Sequence, residues 1–322
     1  KLLGEGGGVI PQESEIKLLN QVFPPELVKA IQSKQPASQK ILKGIAEVLN
    51  VPRSLTASFD LSAPLRQGVF LVGRPKQWVP AFKDMFKFAL KEGAYDDLFN
   101  QLARRETYPL MKQSKLALTD LRSSQLAERE EAFMSNLASK IPGIGKIVGA
   151  SNRAYTGFLN KLRADTFDDI LRGSKAAGIP QTDKLYNSIS SFVNAATGRG
   201  GLGGLENAAT ILNSVLFSPR LAASRIQLLN PGFYVGLHPF VRKQAIKSLL
   251  TFAGLGTTAL SLAGLGGAKV GTDPRSADFG KVKIGNTRYD VWGGFQQYFR
   301  LAAQLISGKV ISSTTGKEIT LG

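Results

Sequence analysis

Cysteine is absent from the 322-residue chain, and histidine occurs once, at His238. Without cysteine there can be no disulfide, no thiolate metal site and no cysteine nucleophile, and one histidine excludes a multi-histidine metal centre. The sequence also lacks the Gly-x-Ser-x-Gly, His-Glu-x-x-His and EF-hand patterns of common hydrolase, zinc and calcium sites. We therefore expect no catalytic residue, no cofactor and no metal in this region, which we predict not to be an enzyme.

The few residues left for acid–base chemistry have ordinary structural interpretations. His238 stands before Pro239, and no acidic residue lies within thirty positions of it, so it is typical of a residue that flanks the start of a helix. Asp168 and Asp169 are adjacent, and adjacent side chains on a helix point in different directions. We interpret this pair as helix-surface charge.

Acidic residues are missing from positions 207–272, where six Lys and Arg residues remain. The whole chain has 41 Lys and Arg against 24 Asp and Glu, which gives a net charge of +17. Such a surface attracts polyanions, either nucleic acid or the anionic face of a membrane. We predict contacts with phosphates or lipid headgroups by Arg199, Arg220, Arg225, Arg242, Lys243 and Lys247.

Charge of either sign is absent from the 21 residues between Lys247 and Lys269. As a helix this segment, 248–268, would span about 30 Å, the thickness of a bilayer core. Its five glycines weaken a helix in water but let helices approach closely in lipid. Two interpretations remain open: a buried helical hairpin with a glycine-rich bend, or a membrane or conduit segment that includes Ser248, Leu255, Leu262 and Ala268.

Apolar periodicity predicts a mainly α fold, a multi-helix assembly interrupted by glycine and proline. After Pro80, an apolar stripe at helical spacing predicts core packing, and lysines four residues apart predict a solvated face. The stripe is Phe82, Met85, Phe86 and Ala89, and the lysines are Lys83, Lys87 and Lys91. Further helices are predicted over 152–171, 184–196 and 295–306.

Two glycine-containing segments predict turns. Alternating residues on both sides of Gly285-Asn286 predict one small β-hairpin near 281–291. The stretch 197–204 is rich in glycine but lacks the Gly-Lys-Ser/Thr ending of a phosphate-binding loop. We interpret it as a hinge or a close-packing loop.

Composition divides the chain into four predicted regions. Residues 1–53 form a flexible lead-in with short helices, and residues 54–196 form a helical region. Residues 197–272 hold the glycine-rich loop, the basic acid-free helices and the uncharged segment. Residues 273–322 hold the hairpin and a C-terminal helix. The first residue is Lys1 rather than Met, and we expect the chain to be a piece of a longer polypeptide.

Six stretches in order carry a resemblance to a known family: 58–68, 151–163, 197–200, 217–225, 273–281 and 290–296. Over about residues 54–322 the chain resembles the helical domain found toward the C-terminal side of very large polyvalent proteins of tailed bacteriophages, the large polyvalent protein-associated domain families. The resemblance implies a giant phage protein whose other regions carry enzymes, and which is packaged in the virion and delivered with the genome. It supplies no catalytic residue for this region.

From the resemblance and the charge we predict a fragment of an internal virion, or ejection, protein that helps DNA cross the host envelope. It would lie in the capsid, portal or tail lumen, and in the host envelope after ejection. The expected partners are phage DNA, portal, tail or ejection proteins, the host membrane and further copies of the chain. Two alternatives stay open: a sequence-independent DNA-binding or scaffolding region, and a structural plug or adaptor at the portal or tail.

Overall fold

A computed structural model describes residues 66–121, 144–201, 219–284, 287–312 and 315–321. The predictions for residues 1–53 lie outside the described residues. The chain divides into two compact units, Lys1–Leu61 with Thr119–Arg153, and Ser62–Leu118 with Ala154–Gly322. In the first unit only 119–121 and the start of a long helix at 144–153 are described, so the account below concerns the second unit. The region boundaries near 54, 197 and 273 stay predictions.

The described residues are mainly helical, with a few short antiparallel strands, which confirms the predicted fold class. The helices are α1 (Pro75–Leu90), α2 (Glu92–Ala103), α3 (Tyr108–Gln113), α4 (Ile144–Ala176), α5 (Asp183–Ala196), α6 (Pro219–Leu229), α7 (Pro231–Gly236), α8 (Pro239–Leu265) and α9 (Gln296–Ser307). A single 3-10 turn at Val69–Leu71 precedes α1.

Local capping explains where several helices begin. The Thr182 hydroxyl accepts the Leu185 N–H at 3.3 Å at the start of α5. The Asn230 side chain accepts the Gly232 N–H at 2.9 Å at the start of α7. His238 Nδ1 accepts the Phe240 N–H at 3.3 Å at the start of α8, which confirms its predicted place at a helix start. Each acceptor satisfies an N–H group that the first helical turn leaves without a partner.

The core of this unit lies between α4, α5 and the helices around them. Its fully buried side chains include Phe158, Leu162, Phe167, Ile189 and Phe192. The prediction of a helix over 152–171 with Phe158, Leu162 and Phe167 inward is confirmed.

The apolar stripe predicted on α1 is wrong in its register. Phe86 is 46% exposed, and the buried positions are Ala81, Met85 and Phe88. The Phe88 ring packs where Gly157 of α4 has no side chain, so the face that α1 buries includes Phe88 rather than Phe86. The lysine face of α1 is exposed as predicted.

Five short strands form two antiparallel sheets in the C-terminal part. They are β1 (Lys269–Val270), β2 (Lys281–Ile284), β3 (Thr287–Asp290), β4 (Lys309–Ile311) and β5 (Glu318–Thr320). The predicted hairpin is confirmed, with Lys281 opposite Asp290 and Ile284 opposite Thr287. The sequence did not predict β1, which adds a third strand to the hairpin, or the separate β4–β5 pair.

The described part of the glycine-rich segment after α5, residues 197–201, is a close-packing loop, one of the two predicted forms. Gly198 has a φ of +82°, in the left-handed region that favours glycine. A Cβ at Gly200 would lie 2.2 Å from the backbone nitrogen of Ser224, so only glycine lets this loop contact α6 directly.

The uncharged segment 248–268 is not a hairpin. Helix α8 runs without a break from Pro239 to Leu265, and the glycine-rich bend appears only after it, where Gly267 has a φ of +86°. The interpretation as a buried helical hairpin is therefore wrong. A single 27-residue helix is about 40 Å long.

Candidate interaction surface

The six cations predicted to contact phosphate or headgroups lie in three different environments. Lys243 and Lys247 are exposed on α8, whereas Arg199, Arg220 and Arg242 are half-buried. Arg225 is 2% exposed. The structure thus brings only two of the six fully to the solvent, and contact with phosphate or headgroups stays a prediction for all six.

Arg225 of α6 is held inside the protein. Its Nη2 donates to the carbonyl oxygens of Arg66 and, at 3.2 Å, of Gly293. Its guanidinium carbon lies 4.1 Å from the centre of the Phe295 ring, a favourable cation–π contact. Desolvation by burial lowers the pKa of Arg225 to about 10, so this buried side chain still carries its charge at neutral pH.

Arg242 closes the end of α7. Its Nε donates to the Tyr234 carbonyl at 2.9 Å, and its Nη2 donates to the Val235 carbonyl at 2.7 Å. Both oxygens belong to the last turn of α7, where the Tyr234 carbonyl also accepts the Leu237 N–H at 3.2 Å. The side chain therefore stabilises the α7–α8 corner, a role that the sequence did not indicate.

Helix α8 passes from the core into solvent along its length. Its buried residues Val241, Ala245, Ser248, Phe252 and Gly256 form one stripe at helical spacing. No residue from 257 to 265 is buried. By length and composition α8 is apolar enough to cross a membrane, and only 17% of its most apolar 18-residue window is buried within the protein.

An aromatic cluster fixes the buried half of α8. The Phe252 ring centre lies 5.5 Å from that of Phe70 and 5.1 Å from that of Phe295. One turn further on, a Cβ at Gly256 would lie 2.4 Å from the Trp292 ring. The helix is thus anchored up to Gly256, and none of its remaining nine residues is buried.

Large exposed apolar side chains concentrate in the same C-terminal part. Among the described residues, eighteen such side chains are exposed, and thirteen of them follow residue 245. Only three apolar side chains in that part are buried, against thirty-two before it. We call the thirteen the apolar surface: Ile246, Leu250, Leu255, Leu262, Leu265, Ile284, Tyr289, Phe299, Leu301, Leu305, Ile306, Ile319 and Leu321. A large contiguous apolar patch marks an interaction site, whereas single exposed apolar side chains are ordinary. The concentration of these side chains in one part of the chain makes the apolar surface the candidate interaction site.

The four residues predicted for a membrane or conduit segment differ in their exposure to solvent. Leu255 and Leu262 belong to the apolar surface, 48% and 63% exposed. Ser248 is buried and accepts the Arg74 Nε–H at 3.3 Å. Ala268 lies beyond the end of α8 and is half-buried.

Helix α9 contributes a second part of the apolar surface. Leu301 and Leu305 are one turn apart, as are Ala302 and Ile306, and all four are exposed. The prediction placed Phe299 and Ile306 on one helical face; Phe299 is 50% exposed and Ile306 87% exposed. An amphipathic helix normally buries such a face, so the face is unpartnered among the described residues.

Several of the described acidic residues are engaged in ion pairs. Asp168 accepts from Arg105 at 2.8 Å, and Asp169 accepts from Arg74 at 3.1 Å. Within the part of the chain that the structure describes, no group of three or more His, Cys, Asp or Glu residues could hold a metal ion.

Comparison with known proteins gives no match to a family model, a curated protein or a solved structure. The resemblance to polyvalent phage proteins stays a prediction from the sequence.

Proposed function

We propose that this chain is a membrane-contacting region of an internal virion protein that is delivered with a phage genome. The observation that carries membrane contact is the C-terminal end of α8, residues 257–265, which is uncharged and has no buried residue. The phage context comes from the sequence resemblance. In this role the region helps DNA cross the host envelope by attaching to lipid.

The energy available from lipid is large enough for reversible attachment. Leu250, Leu262 and Leu265 are 66%, 63% and 86% exposed. Moving one leucine side chain fully out of water yields about 1.5–3 kcal/mol, so these three together supply several kcal/mol. Exposure of the same residues to water in the free chain is unfavourable, and lipid removes that cost.

Charge supports the same conclusion. Lys243 and Lys247 are exposed at the start of the uncharged segment, and no acid lies between 207 and 272 to offset them. Each Lys or Arg near an anionic membrane surface contributes about 1 kcal/mol. Attachment to anionic lipid is therefore expected to exceed attachment to neutral lipid.

The test is flotation of the 322-residue chain with vesicles of phosphatidylcholine and phosphatidylglycerol in equal parts. Leu265→Asp is compared with Leu90→Asp, because Leu265 is 86% exposed and Leu90, on α1, is 85% exposed. We expect the chain and Leu90→Asp to float with the vesicles and Leu265→Asp to remain below. Equal flotation of both variants, or no flotation of the unmodified chain, contradicts the proposal.

A structural contact within the particle is the second candidate, and the exposed face of α9 favours it. Leu301, Leu305 and Ile306 form an apolar strip that a second protein copy would cover as well as lipid does. Sedimentation of the chain without vesicles distinguishes the two candidates. A stable oligomer that Leu305→Asp dissociates, together with no vesicle binding, would favour an adaptor.

A further inference from the structure

Helix α1 carries a line of cations along its exposed side. Lys83, Lys87 and Lys91 follow one another at intervals of four residues, and Lys76 stands seven residues before Lys83. These intervals are close to one and two turns of an α-helix, so the four side chains fall along one side of α1. At 1.5 Å per residue the line is about 22 Å long. All four lysines are exposed, and we call them the lysine line.

Little negative charge lies beside the lysine line. The one acid within α1 is Asp84, whose carboxylate lies 3.8 Å from the Lys161 ammonium of α4. The nearest acid after Lys91 is Glu92, the first residue of α2. None of the four lysines forms an ion pair with the described residues. The line therefore keeps a surplus of positive charge, which attracts a polyanion.

A second line of side chains runs beside the first on the exposed side of α1. Val79, Phe86 and Leu90 are 40%, 46% and 85% exposed, and we call them the apolar line. Phe86 stands three residues after Lys83, and Leu90 stands three residues after Lys87. Side chains at this spacing on a helix are neighbours. Cations and apolar side chains therefore lie next to each other along the helix.

The Phe86 ring is held in place by other aromatic rings. Its centre lies 5.5 Å from that of Phe82, with the two rings nearly perpendicular. Phe82 stacks on Trp78 at 4.9 Å and contacts Phe158 of α4 at 6.4 Å, and Phe158 is fully buried. A ring that is already fixed loses little conformational entropy when a ligand stacks on it. Phe86 is thus suited to stack on a flat ligand.

The two lines together indicate the class of partner. We propose that α1 binds single-stranded nucleic acid, with backbone phosphates along the lysine line and a base stacked on Phe86. Proteins that bind single strands combine cations that follow the backbone with aromatic side chains that stack on the bases. A duplex keeps its bases stacked inside, so it would bind the lysines but leave the apolar line in water.

A membrane surface fits α1 less well. A helix that lies on a membrane buries a broad apolar face among the lipids. The broad apolar face of α1, with Ala81, Met85 and Phe88, is already buried in the protein, and the apolar line that remains is one residue wide. Nucleic-acid binding by α1 goes beyond the proposed membrane contact and is independent of it, because the membrane contact is assigned to α8.

The first test removes three cations of the lysine line and compares this with an equal loss of charge elsewhere. The α1 variant replaces three lysines of the line with Gln, and the control variant replaces three exposed lysines outside α1. The two variants are Lys83→Gln with Lys87→Gln and Lys91→Gln, and Lys175→Gln with Lys184→Gln and Lys317→Gln. Fluorescence anisotropy with a labelled 20-nucleotide oligodeoxythymidylate measures binding of the 322-residue chain at several salt concentrations. Circular dichroism checks that both variants keep the helical content of the unmodified chain.

The salt dependence of binding counts the phosphate contacts. Each contact with a single strand contributes about 0.7 to the slope of log K against log salt concentration. The α1 variant should therefore lose about 2 units of this slope, whereas the control variant should keep the slope of the unmodified chain. If the two variants have the same slope and affinity, or if the unmodified chain does not bind the oligonucleotide, the proposal is wrong.

The second test concerns base stacking. Phe86→Ala is compared with Phe299→Ala, because the two rings are 46% and 50% exposed. We expect Phe86→Ala to weaken binding of the oligodeoxythymidylate by about fivefold or more, and to leave binding of a 20-base-pair duplex unchanged. Phe299→Ala should change neither. Equal affinity of Phe86→Ala and Phe299→Ala for the oligodeoxythymidylate would overturn the assignment to single strands.

Vesicle binding distinguishes this proposal from membrane contact. The α1 lysine variant should float with vesicles of phosphatidylcholine and phosphatidylglycerol as the unmodified chain does. If it loses flotation and keeps its affinity for the oligonucleotide, the lysine line binds lipid and the assignment to nucleic acid is wrong. Flotation that depends on Leu265 is measured separately, so either proposal can fail while the other stands.

Discussion

The guanidinium of Arg225 lies flat against Phe295, with its carbon 4.1 Å from the ring centre. The same guanidinium donates to the Arg66 and Gly293 carbonyls. Through this one side chain, α6 joins the segment before α1 to the turn before α9. This buried cation contributes to the packing of the C-terminal part.

Replacing Arg225 with Lys should lower the free energy of unfolding by about 1–3 kcal/mol. An ammonium group cannot bind both carbonyls and stack on the ring at once, which leaves buried acceptors unpaired. Urea denaturation of Arg225→Lys and of Arg172→Lys, an exposed arginine on α4, measures the difference. Equal stability of the two variants would show that the buried contacts contribute little.

Two glycines of α8 should respond in opposite directions to alanine. Gly254 has open space around its Cβ position, whereas a Cβ at Gly256 would lie 2.4 Å from Trp292. Gly254→Ala should stabilise the protein by up to about 1 kcal/mol through helix propensity. Gly256→Ala should destabilise it by about 1–3 kcal/mol through overpacking. Thermal unfolding of both variants measures the two effects, and a gain at position 256 would contradict the packing described here.

Substitution of Arg242 should change the free energy of unfolding, whereas substitution of Lys243 and Lys247 should change binding to vesicles. Arg242→Gln removes donors to the Tyr234 and Val235 carbonyls and should lower the free energy of unfolding by about 1–2 kcal/mol. Lys243→Gln with Lys247→Gln should leave stability unchanged, because both side chains are exposed. The double variant should instead bind anionic vesicles more weakly, by about fivefold per lysine. If Arg242→Gln weakened only vesicle binding and the double lysine variant lowered only stability, both assignments would be wrong.

Acid should loosen the attachment of the β4–β5 pair. Hydrogen bonding to Arg275 lowers the pKa of Asp273, and hydrogen bonding to Lys309 lowers the pKa of Glu318. Because both folded pKa values lie below the unfolded ones, this contribution to stability is complete above the unfolded pKa and is lost as the pH falls through the folded pKa. Hydrogen exchange of residues 309–320 should therefore accelerate at low pH.

The control for this pH effect is the exposed Lys317. Arg275→Gln removes the partner that Asp273 and Glu318 share and should reduce the acid response, whereas Lys317→Gln should preserve it. If Arg275→Gln and Lys317→Gln have the same hydrogen exchange at neutral pH and at low pH, Arg275 is not the source of the acid response.

The sequence predicted the features that depend on neighbouring residues. The hairpin around Gly285-Asn286, the helix after Thr182 and the place of His238 at a helix start all follow from local patterns. The burial of Arg225 could not be predicted, because its two carbonyl acceptors are 159 and 68 residues away. An arginine in an acid-free segment indicates an exposed cation unless such distant partners are known.

The apolar surface was predictable only in part, because it also depends on contacts between residues that are distant in the sequence. The uncharged segment drew attention to Leu255 and Leu262, but its sequence fitted a buried hairpin as well as an exposed helix. Continuity of α8 through Gly254 and Gly256 depends on the anchor that Phe70, Phe252 and Phe295 provide. Strand β1, with two residues, is too short to be recognised from a pattern.

Helix α8 has buried residues up to Gly256 and none from 257 to 265. A force that acts on Leu262 or Leu265 is transmitted through the continuous helix to Phe252. Phe252 contacts Phe295, and Phe295 contacts the buried charge of Arg225. Capture of the far end by a bilayer would therefore strain the junction that holds the C-terminal part to the helical core.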